Sequence, residues 1–431
     1  MTSRLAAIST LLRSRAATDL AVTLGGRSVQ IVAGLLGNVL SARTLGPSDF
    51  GRFGLVMGAV TIAGTVADAG LTFAAIRFIA RHVEEETTRA RATARTYFAL
   101  RLLSGLIVTG AGVCLALPLS MFVIGSADLT PYLQVGFIIL LGLSISSYPG
   151  TVLTGLARFD LIGLAGLLNA LITVGGIVLL FISGNLNLGS LVLWNVALPV
   201  ASTIPAWLFL PREWLPWRIV VGESRSLARD LWRFGRWAGI STIGAVMAGQ
   251  IDLILLGRIV GPGAVGTYSV AVTLAARLDI LNQSLYTIMM PRASRLRTPD
   301  AIRGYMRRIF RGSGLLALGL LLVAVVSQPI ITLLYGAGYS EAAPLFLVLL
   351  LVVASDLITT SLSLVTFSLN KPSILAVIEW LRVLLLAVVG VPLISAYGAL
   401  GAALSRVTSR IGSGLFMLRT FKRIHESTDE L

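Results

Sequence analysis

"RTLGPSDFGRF", from Arg43 to Phe53, returns in outline as "RIVGPGAVGTY", from Arg258 to Tyr268. Arg, Gly, Pro and Gly recur at the same spacing, an aromatic residue closes both stretches, and the offset of 215 residues is half the length of the 431-residue chain. Another match lies at nearly the same offset, where "GSADLTP" from Gly125 resembles "GYSEAAP" from Gly338. We infer an internal duplication, in which equivalent helices are built twice and face each other across an axis.

The composition is typical of a membrane protein. Apolar residues make up 55% of the chain and charged residues only 13%, against about 25% charged residues in soluble domains. The mean hydropathy is +0.86. Apolar runs of about 20 residues, long enough to cross a bilayer, predict twelve spans. They are Leu20–Ala42, Phe53–Phe73, Tyr97–Leu117, Leu133–Gly155, Leu161–Ile182, Leu188–Phe209, Trp237–Gly257, Ala264–Met290, Gly314–Leu334, Pro344–Thr366, Ser373–Ile394 and Tyr397–Phe416.

The basic residues predict the orientation. Twelve spans place both termini on one side, and 26 of the 35 basic residues lie in segments on that side, against three in the opposite loops. The positive-inside rule therefore places both termini in the cytoplasm. We expect a segment 1–19, either an interfacial helix or a frayed terminus, two six-helix lobes at 20–210 and 237–418, a basic linker 211–236 and a tail 419–431. Halves with an even number of spans insert in the same orientation, which predicts a pseudo-two-fold axis along the membrane normal.

Several classes of function are excluded at this stage. The net charge of +15 arises from basic loops between spans, which is a topology signal, so we expect no nucleic-acid partner. A single cysteine excludes an internal disulfide. No metal-ligand spacing, phosphate loop or nucleophile motif is present, so we expect no metal, no cofactor, no catalytic residue and no enzyme.

The repeated Gly-Pro pairs are expected at the outer membrane surface. Gly46 and Gly261 suit a helix C-cap, and Pro47 and Pro262 stop a helix because they lack an N–H. We interpret the pairs as tight outer hairpin turns. A gating role is the alternative.

Charged side chains within spans indicate a functional cavity, because burying them costs several kcal/mol. Arg27 and Arg277 have no acid three or four residues away, so we expect them to line a cationic, substrate-binding cavity. Asp68 and Asp252 also lie within spans, Asp279 is assigned to charge balance or to a coupling ion, and further polar lining is expected from Asn38, Gln250, Asn282 and Gln283.

The last two spans carry a second charged group. Glu379 and Arg382 share a helix face and can pair, either as a structural pair or as part of the cavity, with Glu379 in the charge-balancing set. Arg406 and Arg410 share a face and need neighbouring acids or an anionic ligand. Arg382, Arg406 and Arg410 therefore join the substrate-binding set. Asp356 is expected to partner a lone arginine, and Arg101 to snorkel to the cytoplasm.

The chain resembles the polysaccharide repeat-unit flippases of the multidrug/oligosaccharidyl-lipid/polysaccharide exporter superfamily. The resemblance is carried by NVLSARTLGPSDFGRFGLV (Asn38–Val56), DAGLTFAAIRFIAR (Asp68–Arg81), FGRWAGIS (Phe234–Ser241), DLILLGRIVGPGAVGTYSVAVTLA (Asp252–Ala275), MPRASRL (Met290–Leu296) and YGAGYSEAA (Tyr335–Ala343). It implies two six-helix bundles around a cationic lumen. It also implies transport of an undecaprenyl-pyrophosphate-linked oligosaccharide from the cytoplasmic to the outer leaflet, with Arg27 and Arg277 holding pyrophosphate or acidic sugars.

The same resemblance implies that Asp68 and Asp252 balance charge or bind a coupling ion. We also expect a monomer in the bacterial inner membrane, working in O-antigen, capsule or exopolysaccharide synthesis, with membrane lipids and the polymerase and chain-length proteins of that pathway as partners. Three alternatives stay open. A lipid II flippase typically has two further helices. An ion-coupled exporter of small molecules or cationic drugs explains the arginines less well. A membrane polymerase or ligase needs a larger outer loop than the short ones predicted.

Overall fold

The structure, a computed structural model, describes residues 15–216, 224–278, 319–320, 323–368 and 372–429, with side chains at 29–216, 225–278, 319–320, 323–356, 376–417 and 419. Within these ranges every regular element is helical. The α-helices are α1 (Arg15–Asp68), α2 (Leu71–Glu85), α3 (Thr87–Pro118), α4 (Thr130–Gly155), α5 (Phe159–Ile182), α6 (Leu188–Phe209), α7 (Ser224–Ile259), α8 (Pro262–Leu278), α9 (Ser327–Tyr335), α10 (Ala342–Ser368), α11 (Pro372–Tyr397) and α12 (Ala399–Asp429).

Most predicted spans lie within these helices, although Phe53–Phe73 crosses the break between α1 and α2. Residues 279–290 of the predicted span Ala264–Met290, and 314–318 and 321–322 of Gly314–Leu334, lie outside the described residues. Among the described residues, seven helices are long and apolar enough to cross a membrane. Many apolar side chains on them face outward, such as Leu179 at 70% and Ile182 at 75% exposure. Apolar area in water costs roughly 25 cal/mol per Å², so this surface is suited to lipid. The prediction of an all-α integral membrane protein is confirmed.

Helix α1 contains the first Gly-Pro pair and is interrupted there. Gly46 has φ 72° and ψ 173°, outside helical geometry, and Pro47 follows, where a fixed φ suits the start of a helix. At the second copy, Gly261 has φ 118° and Pro262 begins α8. The two copies therefore break the chain in the same way, with glycine in the positive-φ region that other residues rarely adopt.

Residue contacts group the chain into two compact units. Unit 1 comprises Met1–Thr44, Ala63–Ala116 and Pro131–Gly239, and unit 2 comprises Leu45–Ile62, Leu117–Thr130 and Ile240–Leu431. The segment expected to be a linker, 211–236, contains a short 3-10 helix at Arg212–Trp214 and the first turns of α7.

Unit 1 has an aromatic and apolar core. The α2 residues that are buried recur at helical spacing, as expected for an amphipathic helix: Leu71, Ala74, Ala75, Ile79 and His82. Tyr148 lies between Phe98 and Trp207, with ring centroids at 5.0 and 5.4 Å. Its hydroxyl donates to the carbonyl of Trp214 at 2.5 Å. This contact joins α4 to the segment after α6.

Unit 2 contains a reciprocal contact between the two copies of the repeat. A Cβ on Gly51 would lie 1.8 Å from the carbonyl oxygen of Pro262, and a Cβ on Gly266 would lie 1.9 Å from that of Pro47. Only glycine permits backbones to approach this closely. We name these four residues the glycine–proline seam. The contact confirms the prediction that the helices after the two Gly-Pro pairs face each other.

Candidate functional site

Asp252 is the centre of a buried, fully hydrogen-bonded network in unit 2. It is 1% exposed. Arg406 donates from Nε and Nη2 to its two oxygens at 2.7 and 2.9 Å, and the same Nη2 donates to the carbonyl of Gly249 at 2.8 Å. The hydroxyl of Tyr268 and the backbone N–H of Leu253 also donate to Asp252. This bidentate geometry is the strongest form of arginine–carboxylate pairing.

Two further ion pairs lie in unit 2. Arg410 on α12 reaches Asp356 on α10, with Nη2 and Oδ2 2.7 Å apart. Arg382 pairs with Glu379 one turn earlier on α11 at 2.5 Å. The second contact confirms that Glu379 and Arg382 share a face, and the first confirms that Asp356 partners an arginine. The acids that the paired arginines needed are therefore supplied by neighbouring helices.

Asp356 and the three arginines of these pairs border one cavity, which we name the C-terminal cavity. It has a volume of about 450 Å³, and its lining combines small or aliphatic residues with four charged ones: Ala245, Ala248, Gly249, Val272, Ala275, Ala276, Leu349, Val352, Val353, Asp356, Arg382, Arg406 and Arg410. A cavity with an apolar wall and a few convergent polar groups is the usual form of a ligand site.

Two arginines of the C-terminal cavity keep unused hydrogen-bond donors. The Nε atoms of Arg382 and Arg410 are buried and have no hydrogen-bond partner among the described residues. The Nε of Arg277, which follows the lining residue Ala276 in the sequence, is also buried and has no hydrogen-bond partner among the described residues. A buried donor without a partner costs about 1–3 kcal/mol, so a ligand oxygen or water that accepts from these groups gains that energy. The guanidinium groups of the lining arginines are suited to oxygen-rich, anionic or hydroxylated ligands.

Asp68 belongs to a separate buried network in unit 1. Its Oδ1 accepts from the hydroxyl of Thr72 at 2.5 Å, and it lies 3.5 Å from the Nε of Arg101. The hydroxyl of Tyr97 lies 3.0 Å from that of Thr72 and donates to Ser147 at 3.1 Å. The expectation that Arg101 snorkels to the cytoplasm is wrong, because its side chain is only 6% exposed and turns toward the carboxylate.

The remaining predicted residues are distributed as follows. The side chain of Arg27, and Asp279, Asn282 and Gln283, lie outside the described residues. Asn38 is half-buried in unit 1. Gln250 lies on α7, where its Oε1 would be 3.2 Å from a Cβ on Gly58. The structure therefore brings Arg382, Arg406 and Arg410 together with Asp252 and Glu379.

The sequence interpretation missed the part that two residues play in this site. Tyr268 closes the second copy of the repeat, yet its hydroxyl is a donor to Asp252. Asp356 was assigned only to a lone arginine, yet it lines the C-terminal cavity. A signal was available in both cases, because a buried tyrosine hydroxyl needs a partner and a carboxylate within a span is a functional candidate by default.

Comparison with known proteins places the chain in a family. Residues 17–297, more than half of the chain, match the polysaccharide biosynthesis protein family. Over 47% of its length the chain is 26% identical to the probable flippase AglR of Haloferax volcanii, of which the match covers 44%. The chain spans less than half the length of the curated relatives it matches.

Solved structures share the fold. The lipid II flippase MurJ, in an inward closed conformation, superposes with a TM-score of 0.71 at 14% identity, covering 93% of this chain and 87% of that one. A multidrug resistance MATE family transporter of the MOP superfamily, in an inward-facing conformation, gives 0.66 at 16% identity, with 92% and 96% covered. These likenesses confirm the predicted fold class. The chain is a multi-pass membrane protein that belongs to the polysaccharide biosynthesis protein family.

Proposed function

We propose that this protein is a flippase that moves an undecaprenyl-pyrophosphate-linked oligosaccharide from the cytoplasmic to the outer leaflet by alternating access. The translocated oligosaccharide is used in the synthesis of a bacterial surface polysaccharide. The protein lies in the inner membrane, with both termini in the cytoplasm. Membership of the polysaccharide biosynthesis protein family supports this proposal. The observation that carries it is the pair of unpartnered Nε donors in the C-terminal cavity.

The C-terminal cavity is matched to such a substrate in its chemistry. Arg382 and Arg410 each present a buried N–H that can donate to a sugar hydroxyl or a phosphate oxygen, and arginine binds phosphate well because its donors form a planar fork. The ammonium group of a cationic drug is itself a hydrogen-bond donor, so it cannot accept from these N–H groups. We therefore favour an oligosaccharide carrier over a drug exporter.

The acids beside the arginines limit how tightly a substrate is held. Glu379 and Asp356 each neutralise one arginine of the cavity. A transport site must bind its cargo well enough to admit it and weakly enough to release it. A cavity of unpaired arginines would trap a pyrophosphate, whereas paired arginines with one spare donor each provide several moderate hydrogen bonds.

The test of this function is a flipping assay with the purified protein in vesicles. A polyprenyl-diphosphate oligosaccharide labelled with a fluorophore on its sugar is incorporated in both leaflets, and a membrane-impermeant quencher reports the accessible pool. We expect the wild-type protein to make the inner pool accessible, which empty vesicles do not. Quenching confined to the outer pool would contradict the proposal.

The same vesicles distinguish the alternatives. Transport of lipid II with no transport of the oligosaccharide carrier would indicate a lipid II flippase. Accumulation of a cationic dye under an imposed ion gradient would indicate an exporter. Lengthening of the glycan on its carrier would indicate a polymerase, and its transfer to another acceptor a ligase.

A double substitution separates substrate binding from charge pairing. Arg410→Gln alone leaves Asp356 buried without its cation, so a loss of flipping has two explanations. Arg410→Gln combined with Asp356→Asn removes both charges. We expect the double variant to fold yet to flip at least about tenfold more slowly, since a hydrogen bond to a charged group contributes about 1.5–3 kcal/mol. Recovery of wild-type flipping in the double variant would show that Arg410 serves only Asp356. Arg158→Gln, which breaks an exposed ion pair with Asp160, is the control.

A further inference from the structure

Unit 1 contains a second cavity, which the proposed transport function does not use. It has a volume of about 550 Å³ and lies between α2, the start of α3 and the start of α7. Its lining combines arginines with aromatic rings: Phe78, Arg81, His82, Glu85, Arg89, Asp230, Arg233, Phe234, Arg236 and Trp237. We name it the arginine–tryptophan pocket.

The pocket lies where two helices pass from polar to apolar sequence. Helix α7 begins with SRSLARDLWRFGRW and continues with AGISTIGAV, and α2 changes from LTFAAI to ARHVEE at its end. Trp232 and Trp237 are 55% and 51% exposed at this boundary. Tryptophan and arginine concentrate at the level of lipid headgroups, where one part of the side chain meets hydrocarbon and the other meets water. The pocket is therefore at headgroup depth.

Fixed contacts hold the walls of the pocket. A Cβ on Gly70, just before α2, would lie 2.1 Å from the carbonyl of Gly235 on α7, so the two backbones touch. The guanidinium of Arg77 lies 4.4 Å from the ring centroid of Phe234, and Phe78 meets the same ring edge-on at 6.0 Å. These contacts set the spacing of α2 and α7 without any ligand.

The charge of the pocket is positive and only partly neutralised. Four arginines line it against two acids, and one of those acids, Glu85, is already paired with Arg81 at 2.9 Å. His82 is buried and its Nδ1 lies 2.9 Å from the hydroxyl of Thr93. Burial lowers the pKa of His82, and the positive charge of Arg89 lowers it further. Arg89, Arg233 and Arg236 thus form the cationic side of the pocket.

We propose that the arginine–tryptophan pocket binds the headgroup phosphate of an anionic phospholipid in the leaflet on this side of the membrane, the cytoplasmic leaflet in the orientation proposed above. Arg233 and Arg236 donate to the phosphate oxygens, for which guanidinium groups are suited. The ring of Trp237 packs against the glycerol and the first part of the acyl chain, as aromatic side chains do at the interface. This is an anchoring site, separate from the C-terminal cavity.

Native mass spectrometry of the detergent-purified full chain tests the proposal. The protein is titrated with phosphatidylglycerol, with phosphatidylcholine of the same acyl chains, and with inorganic phosphate. We expect retention of one phosphatidylglycerol in preference to phosphatidylcholine, and no retention of inorganic phosphate. Arg233→Gln with Arg236→Gln should weaken phosphatidylglycerol binding about 30-fold, because each arginine near an anionic membrane surface contributes about a fivefold factor.

A matched control lies on the same helix. Arg229→Gln removes the same charge from an exposed position of α7 outside the pocket lining, and we expect it to bind phosphatidylglycerol like the wild-type protein. The proposal is overturned by equal binding of the two lipids, by undiminished binding in the double variant, or by equal losses in the double variant and the control. It is also overturned if inorganic phosphate binds as well as the lipid. None of these readouts depends on flipping.

Discussion

Two aspartate–arginine pairs, one in each unit, differ in how completely their hydrogen-bonding groups are satisfied. The Asp252–Arg406 pair of unit 2 has two hydrogen bonds between charged groups, and both partners have further hydrogen bonds to the protein. In the Asp68–Arg101 pair of unit 1 the closest atoms are 3.5 Å apart, and the Nε and Nη1 of Arg101 have no hydrogen-bond partner among the described residues.

The difference separates a structural pair from an adaptable one. A network with several hydrogen bonds to each charged partner rigidifies its surroundings and leaves fewer groups available to a ligand. A pair whose arginine has unused N–H groups can donate to a ligand oxygen, or change its geometry, with little loss of free energy. We therefore assign Asp252 and Arg406 to the framework of the C-terminal cavity. The groups with spare donors, Arg382 and Arg410, are those that meet the substrate in our proposal.

The largest predicted effect is on the satisfied pair. Arg406→Leu leaves Asp252 charged, buried and without its cation, which costs about 3–5 kcal/mol. We expect a large drop in Tm and in the monodisperse fraction on gel filtration. Asp252→Asn combined with Arg406→Gln should recover much of the loss, because no charge is then left alone. A single variant as stable as the wild-type protein would show that the pair is not part of the framework.

A smaller effect is expected at the loose pair. Arg101→Leu leaves an aspartate whose side chain is 22% exposed and which still accepts from Thr72, so water can solvate it. We expect a loss near the lower end of the roughly 1–3 kcal/mol range for an unpaired polar group, measured as Tm in the same detergent. A loss as large as that of Arg406→Leu would remove the distinction between the two pairs.

Lysine substitutions sharpen the comparison further. Arg406→Lys cannot make the bidentate contact and the bond to the Gly249 carbonyl together, so we expect a loss of about 1–2 kcal/mol from hydrogen bonds to charged groups. Arg101→Lys replaces a single long contact, and we expect a loss below about 1 kcal/mol. The two Tm shifts are measured side by side. Equal shifts would mean that the fork geometry of Arg406 contributes nothing.

The smallest effect concerns pH and a third buried polar pair, His82 with Thr93. Burial lowers the pKa of His82 in the folded chain below its usual value of 6.5, so the unfolded chain binds a proton first as the pH falls. The stability is therefore complete above pH 6.5 and is lost progressively as the pH drops toward the folded pKa. We expect the Tm of the wild-type protein to fall more than that of His82→Gln over this range. Parallel curves would contradict this.

The helices could be predicted from the sequence because apolar length and Arg placement are local properties. The bounds of α5 and α6 agree with predicted spans to within a few residues. The pairing within span 11 was also predictable, since Glu379 and Arg382 are one turn apart.

The partners of Asp252 and Asp68 could not be predicted from the sequence. Asp252 and Arg406 are 154 positions apart, and hydropathy carries no information on which helices meet. Arg101 was placed at the water boundary because its distance from the helix end permits snorkelling. The nearby carboxylate of Asp68 instead gives it a closer partner than water.

The glycine–proline seam has a consequence for the symmetry of the chain. Gly51 touches Pro262 and Gly266 touches Pro47, so position i of one copy contacts position j of the other, and j contacts i. That reciprocity is the signature of an isologous interface between two identical subunits. The seam therefore has the symmetry that a two-fold relation between the two copies of the repeat predicts.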